Sequence, residues 1–186
     1  VLKRKSSALG QKRKKPRPIV VAPVKSRIVQ RAILDTCQTG DRRITKRLGE
    51  LPRLILTPTS VGGLPGRGVP EAMALISESI ASGAKWFVRS DLKLFFQTIP
   101  KPRIEEFLRA NIADAAFVDL FMRALATELA NENEVRALLH LFPTGDRGVP
   151  QGSALSALCA NIVLANFDSQ LNGRGIRTVR YLDDFI

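Results

Sequence analysis

Apolar residues return at helical spacing in some stretches of the chain and run as short β-branched blocks in others, so helices and strands are both expected. Over residues 27–37, Ile28, Val29, Ala32, Ile33 and Leu34 recur with a helical period and basic residues fill the other side. That pattern predicts a helix with one buried face and one cationic face. Residues 71–81 follow Pro70, stop before Gly83 and read as a second, amphipathic helix. Residues 104–110 and 115–130 predict further helices, and the nearly all-apolar stretch 153–171 suits a buried one. Ile19, Val20 and Val21, closed by Pro23, predict a short strand, as do residues 86–91. Residues 177–186 predict two strand segments meeting at Asp183 and Asp184. Between them, residues 57–70 are dense in Gly and Pro and predict a loop with unusual backbone angles. No internal repeat is present, and helix pairs mixed with antiparallel strands argue for an α+β fold.

Charge changes this picture at one end. Residues 1–53 hold 16 basic and 3 acidic side chains, a net of +13, whereas the remaining residues hold 13 and 14, a net of −1. The excess therefore lies in the first third, where it favours a polyanionic partner through counterion release. Residues 1–16, rich in Lys and Ser, predict a flexible basic arm that binds phosphates without sequence preference; a solvated tail or a localisation signal accounts for the run Lys12 to Lys15 equally well. Cys37 and Cys159 are far apart, and His140 is the single histidine, so neither a disulfide framework nor a zinc site is indicated. A reducing, cytoplasmic setting is the expectation, and no apolar run is long enough to span a bilayer. The 186 residues with 45% hydrophobic content are enough to build a core.

The residues that point to chemistry are acidic. Asp183 and Asp184 stand between apolar neighbours in TVRYLDDFI. Two like charges about 4 Å apart repel by roughly 4 kcal/mol at an effective dielectric near 20, and burial adds to that cost. A water-exposed hairpin tip offsets the cost, but this one lacks the Gly or Asn that tight hairpins favour. A divalent cation offsets it too, and oxygen donors suit Mg²⁺. Asp91, at the end of a strand-like run in KWFVRSDLKLFFQTI, supplies a third carboxylate, the number that a two-metal phosphoryl-transfer site uses.

In order along the chain, Asp91-Leu-Lys-Leu-Phe-Phe, Gly148-Val-Pro-Gln-Gly-Ser-Ala-Leu-Ser and Tyr181-Leu-Asp-Asp resemble motifs A, B and C of reverse transcriptases, most closely those of the group II intron and retron type. Upstream, Arg17-Pro-Ile-Val-Val-Ala-Pro-Val-Lys-Ser-Arg-Ile-Val-Gln-Arg-Ala is similar to their fingers motif, and Gly62-Gly-Leu-Pro-Gly-Arg-Gly to the glycine-rich segment before motif A. The resemblance runs from about residue 17 to Ile186 in collinear order.

It implies a right-hand polymerase, with residues 17–84 as fingers and 85–186 as an incomplete palm interleaved with fingers helices. The later palm, primer grip and thumb are expected to be missing, so that the segment alone would hold duplex poorly. The implied activity is RNA-directed DNA synthesis on an RNA template, from a DNA or RNA primer, with dNTPs and two Mg²⁺ ions, Mn²⁺ being an alternative. Asp91 and Asp183 would be direct metal ligands with the Leu92 carbonyl, and Asp184 would support them. Gln151 and Gly152 would lie against nucleotide and template. Lys25, Arg27 and Arg31, with Arg17 behind them, are candidates to grip the triphosphate. Phe96 stands where RNA-making polymerases carry an aspartate for the ribose 2′ hydroxyl, and a ring there predicts dNTP use; Phe95 reads as a core aromatic. Two positions depart from the pattern: Ser156-Ala157 replaces the frequent Ser-Pro, and Gln97 replaces a frequent aspartate. The competing readings are a non-catalytic RNA-binding, maturase-like module and template-independent DNA synthesis in a defence system.

Overall fold

The computed structural model describes residues 17–39, 43, 44, 46, 49, 51 and 55–186. The basic arm expected over residues 1–16 lies outside the described residues. Helices α1 (Val24–Gln38), α2 (Val69–Ala81), α3 (Phe95–Thr98), α4 (Lys101–Asn111), α5 (Ala115–Leu125) and α6 (Ser156–Gly173) accompany a 3₁₀ turn at Arg136–Leu141. Strands β1 (Ser90–Asp91), β2 (Arg180–Tyr181) and β3 (Asp184–Phe185) form one antiparallel sheet in the order β1-β3-β2.

Local chemistry explains the helices that build the core. Asp114 caps α5 by accepting the Phe117 N–H at 3.0 Å, which satisfies one of the unpaired donors at a helix start. Val118, Phe121 and Leu125 then recur on one face of α5 and are fully buried. In α4, Pro102 occupies the first turn, where a missing N–H costs nothing, and Ile104 and Leu108 turn inward. α1 packs on α5, α5 on α4, and α4 on α6. α6 is buried along most of its length, as its apolar composition predicts, and its Ala, Ser and Cys residues let neighbours approach closely.

Several expectations need correction. On α1 the buried positions are Gln30, Ile33 and Cys37, whereas Ile28 is 63% and Val29 40% exposed. The helix was legible but its inward side was not, because α5 selects that side by contact; Gln30 donates its amide across the interface to the Ala124 carbonyl at 3.0 Å. α5 stops at Leu125 instead of running to residue 130, and Ala126 turns extended at φ −60°, ψ 145° although no Gly or Pro marks the place. Residues 19–21 form no strand; the Val20 N–H donates to the Gln151 carbonyl at 2.9 Å. Of residues 86–91 only Ser90 and Asp91 are in a strand, and Trp86 is 92% exposed. In the register, Ser90 lies opposite Phe185 and Asp91 opposite Asp184. Among the described residues no helix is long and apolar enough to cross a membrane.

Candidate active site

Register brings the distant acids together. Asp91 on β1 and Tyr181 on β2 both lie opposite Asp184 on the central strand β3, so the three side chains share one face of the sheet. Ser90, Arg180 and Phe185 share the other face. That second face rests on α6: Phe185 meets Phe167 edge-on at 5.7 Å, and Arg180 pairs with Asp168 at 2.6 Å. One face of a three-stranded sheet is thus anchored in the core while the other presents carboxylates outward.

Asp183 sits in the two-residue turn between β2 and β3. Its carbonyl accepts the Leu92 N–H at 3.1 Å, so the backbones beside the two predicted metal ligands are bonded directly to each other. The preceding Leu182 has φ +59°, a conformation that usually calls for glycine in such a turn. Leu94, three residues after Asp91, also has positive φ at +56°. Two strained leucines therefore flank the acids. Burial, then the charges of Asp91 and Asp184, push the Asp183 carboxyl above its ordinary range, with its backbone hydrogen bonding and Arg17 opposing them. Asp184 meets Arg89 at 3.5 Å, between exposed side chains. The Leu92 carbonyl accepts the Phe95 N–H at 3.2 Å.

The remaining motifs are tied to this sheet by backbone bonds. Gly148 and Val149 donate to the carbonyls of Ile99 and Phe96 at 2.8 and 2.7 Å, which joins the motif B segment to the residues after Asp91. Gly152, at φ +114°, lies so close to the Val20 carbonyl that a methyl group would stand 2.6 Å from it. Gln151 and Gly152 are thereby joined to the segment that begins at Arg17. Gly62 faces the acid turn itself: a methyl group there would stand 2.7 Å from the Leu182 nitrogen. Val61 donates to the Arg180 carbonyl at 2.9 Å on the side of β2 away from β3. Gly63 packs on Ala157, the residue that departs from the common Ser-Pro, and a methyl group on Gly63 would stand 2.6 Å from the Ala157 side chain.

The basic candidates are less convergent. Lys25, Arg27 and Arg31 are all exposed on α1, and Arg31 pairs with Asp35 on the same helix at 2.8 Å. Among the described residues, Arg17 is a basic residue whose charge reaches Asp183. Phe95 is buried in the core, whereas Phe96 is half-buried and meets it edge-on at 5.5 Å. Sequence reasoning missed Arg180, Asp168 and Asn161, three buried polar residues behind the turn. Their signal was present, since Asn161 interrupts the apolar run 157–165, Asp168 is the single charged residue of α6, and Arg180 directly precedes Tyr181.

Among the described residues no three His, Cys, Asp or Glu side chains stand close enough to ligate one ion as they are disposed here. Asp91 and Asp184 are exposed, and the donors are carboxylate and carbonyl oxygens, the type that hard cations take.

Comparison with known proteins gives this convergence a family. A 91 kDa protein in the cob intron of Schizosaccharomyces pombe is 28% identical over 153 residues, 75% of this chain and 18% of that protein. The Escherichia coli protein YkfC is 28% identical over 164 residues, 86% of this chain and 38% of its own. A putative COX1/OXI3 intron 2 protein of Saccharomyces cerevisiae is 30% identical over 89 residues, 48% of this chain and 10% of that protein. The chain therefore spans less than two fifths of the length of these relatives. The family model for reverse transcriptase, the RNA-dependent DNA polymerase, matches residues 3–186. With that match over nearly its whole length, and with acids more than ninety residues apart meeting across one sheet, the chain belongs to the reverse transcriptase family.

Proposed function

We propose that the outward face of the sheet is the nucleotidyl-transfer site of an RNA-directed DNA polymerase, with residues 17–84 as fingers and 85–186 as part of the palm. The observation that carries this reading is the pairing of Asp91 with Asp184, together with the bond from the Leu92 N–H to the Asp183 carbonyl. Carboxylates at both ends of a span of more than ninety residues gain nothing structural from being held side by side. Asp91, Asp183 and the Leu92 carbonyl would hold Mg²⁺, or Mn²⁺ in its place, with Asp184 adjoining. Two bound ions supply activation of the primer 3′ hydroxyl and charge neutralisation at the leaving pyrophosphate.

The other residues position substrate. Lys25, Arg27 and Arg31 supply cationic charge for a triphosphate, and Arg17 stands nearer the acids. Phe96 closes the space that a ribose 2′ hydroxyl would occupy and offers it no acceptor, which favours dNTPs. Gln151 and Gly152 lie at the junction of motif B with the Arg17 segment, where the bare glycine lets backbone, base and sugar come close. RNA template and a DNA or RNA primer are the partners, and three relatives are described as intron proteins, in keeping with an RNA partner.

In the intact protein, Asp183→Asn is expected to lower Mg²⁺-dependent dNTP incorporation by about two orders of magnitude or more while RNA affinity stays nearly unchanged. Unaltered incorporation would count against the reading. The same assay separates it from a non-catalytic RNA-binding, maturase-like module, which would extend no primer in either form. Omitting the template separates copying from template-independent synthesis.

A further inference from the structure

Behind the acid turn lies a buried polar network that the catalytic reading does not use. Arg180 and Asp168 are each 0% exposed. The guanidinium donates to both carboxylate oxygens, Nε to Oδ1 at 2.8 Å and Nη2 to Oδ2 at 2.6 Å. Nη2 also donates to Asn161 Oδ1 at 3.1 Å, and Nη1 donates to the Leu182 carbonyl at 3.0 Å. Asn161 in turn accepts the Ser60 hydroxyl at 2.9 Å and donates to the Gly62 carbonyl at 3.0 Å. Thr57 donates its hydroxyl to Asp168 at 3.0 Å. One arginine thus joins α6, the glycine-rich loop and the turn.

We propose that Arg180 is a positioning residue that sets the orientation of Asp183. The inference rests on the reading of the acid turn as the site of nucleotidyl transfer. A buried ion pair adds little net stability over apolar residues of the same shape, because desolvation offsets most of the attraction. Its distinctive property is direction. The Leu182 carbonyl and the Asp183 N–H belong to one rigid peptide plane, so the bond from Nη1 fixes the plane from which Asp183 departs. On the far side, the Asp183 carbonyl is held by the Leu92 N–H. Asp183 is therefore pinned before and after its own Cα, and the positive φ of Leu182 is sustained by contacts on both flanks. Lysine in place of Arg180 keeps the charge but cannot span Asp168, Asn161 and the Leu182 carbonyl together, since it lacks the planar fork.

Three forms of the intact protein test this: the parent, Arg180→Lys, and the double variant Arg180→Met with Asp168→Leu, which removes the tether without leaving a lone buried charge. Both variants are expected to bind RNA within about 2-fold of the parent and to keep KM for dNTP within about 3-fold. In both, kcat should fall by about 10- to 100-fold, as it does when a reacting group is misplaced by an ångström. The Mg²⁺ concentration at half-maximal rate should rise, which a merely structural loss of folded protein would not produce. Parent-like kcat and Mg²⁺ response in either folded variant overturns the proposal. So does a double variant that does not fold, since the pair would then act as scaffold. A parent without Mg²⁺-dependent incorporation instead removes the catalytic reading itself.

Discussion

Leu182 bears a conformational cost that its surroundings must cover. A side chain at φ +59° costs on the order of 1–3 kcal/mol, yet the turn it opens holds Asp183. Gly62 makes this arrangement possible, because the space a methyl group would fill there is already taken by Leu182 and Tyr181 backbone atoms at 2.7 and 3.0 Å. Gly62→Ala should therefore displace the acid turn and destabilise the fold by about 1–3 kcal/mol. Denaturant midpoints and primer extension together check this, and a variant with parent stability and parent rate would refute the close approach. At this scale the acids were legible from their types and order, as was Phe95 in the core. Which of the adjacent aspartates lies opposite Asp91 was not legible, because strand alternation says only that they differ; the register assigns Asp184 to β1 and leaves Asp183 in the turn.

Among the elements, α1 and α6 meet the core through cysteines. Cys37 and Cys159 are both 0% exposed, and burial pushes the Cys37 thiol up to about 12 and that of Cys159 upward as well. Both thiols are protonated in the folded protein well above the ordinary thiol range of about 8.5. A group with a raised folded pKa stabilises fully below its unfolded value and loses that contribution as pH rises towards the folded one. Stability should hold up to about pH 8.5 and decline towards pH 12, and Cys37→Val should lessen the decline. Alkylation followed by peptide mapping should find both cysteines protected in the native protein and reactive after unfolding; rapid native modification of Cys37 would contradict its burial. Element type was readable from periodicity for α1 and α2 and from apolar content for α6. The end of α5 and the extent of β1 were not, since the first has no breaker residue and the second is set by cross-strand pairing, which no local pattern states.

The whole molecule divides into a basic N-terminal third and a nearly neutral remainder. Residues 1–16 carry seven of the basic side chains and none of the candidate site residues. Deleting them should weaken RNA binding and make its salt dependence shallower, by about 0.7 in the log–log slope for each phosphate that the arm neutralises in the parent. The rate at saturating RNA should be unchanged. An unchanged salt slope would assign those charges to solvent. The sequence alone determined the family, the collinear motifs, the elements with strong periodicity and the residue types able to carry phosphoryl chemistry, because each is written in local composition and order. Tertiary structure alone decided which face of α1 is buried, which aspartate pairs with Asp91, and that Arg180, Asp168 and Asn161 stand behind the turn. Those outcomes depend on register and on contacts between residues distant in the chain, such as Gln30 with Ala124 and Ser60 with Asn161, and no local pattern encodes a partner at that distance.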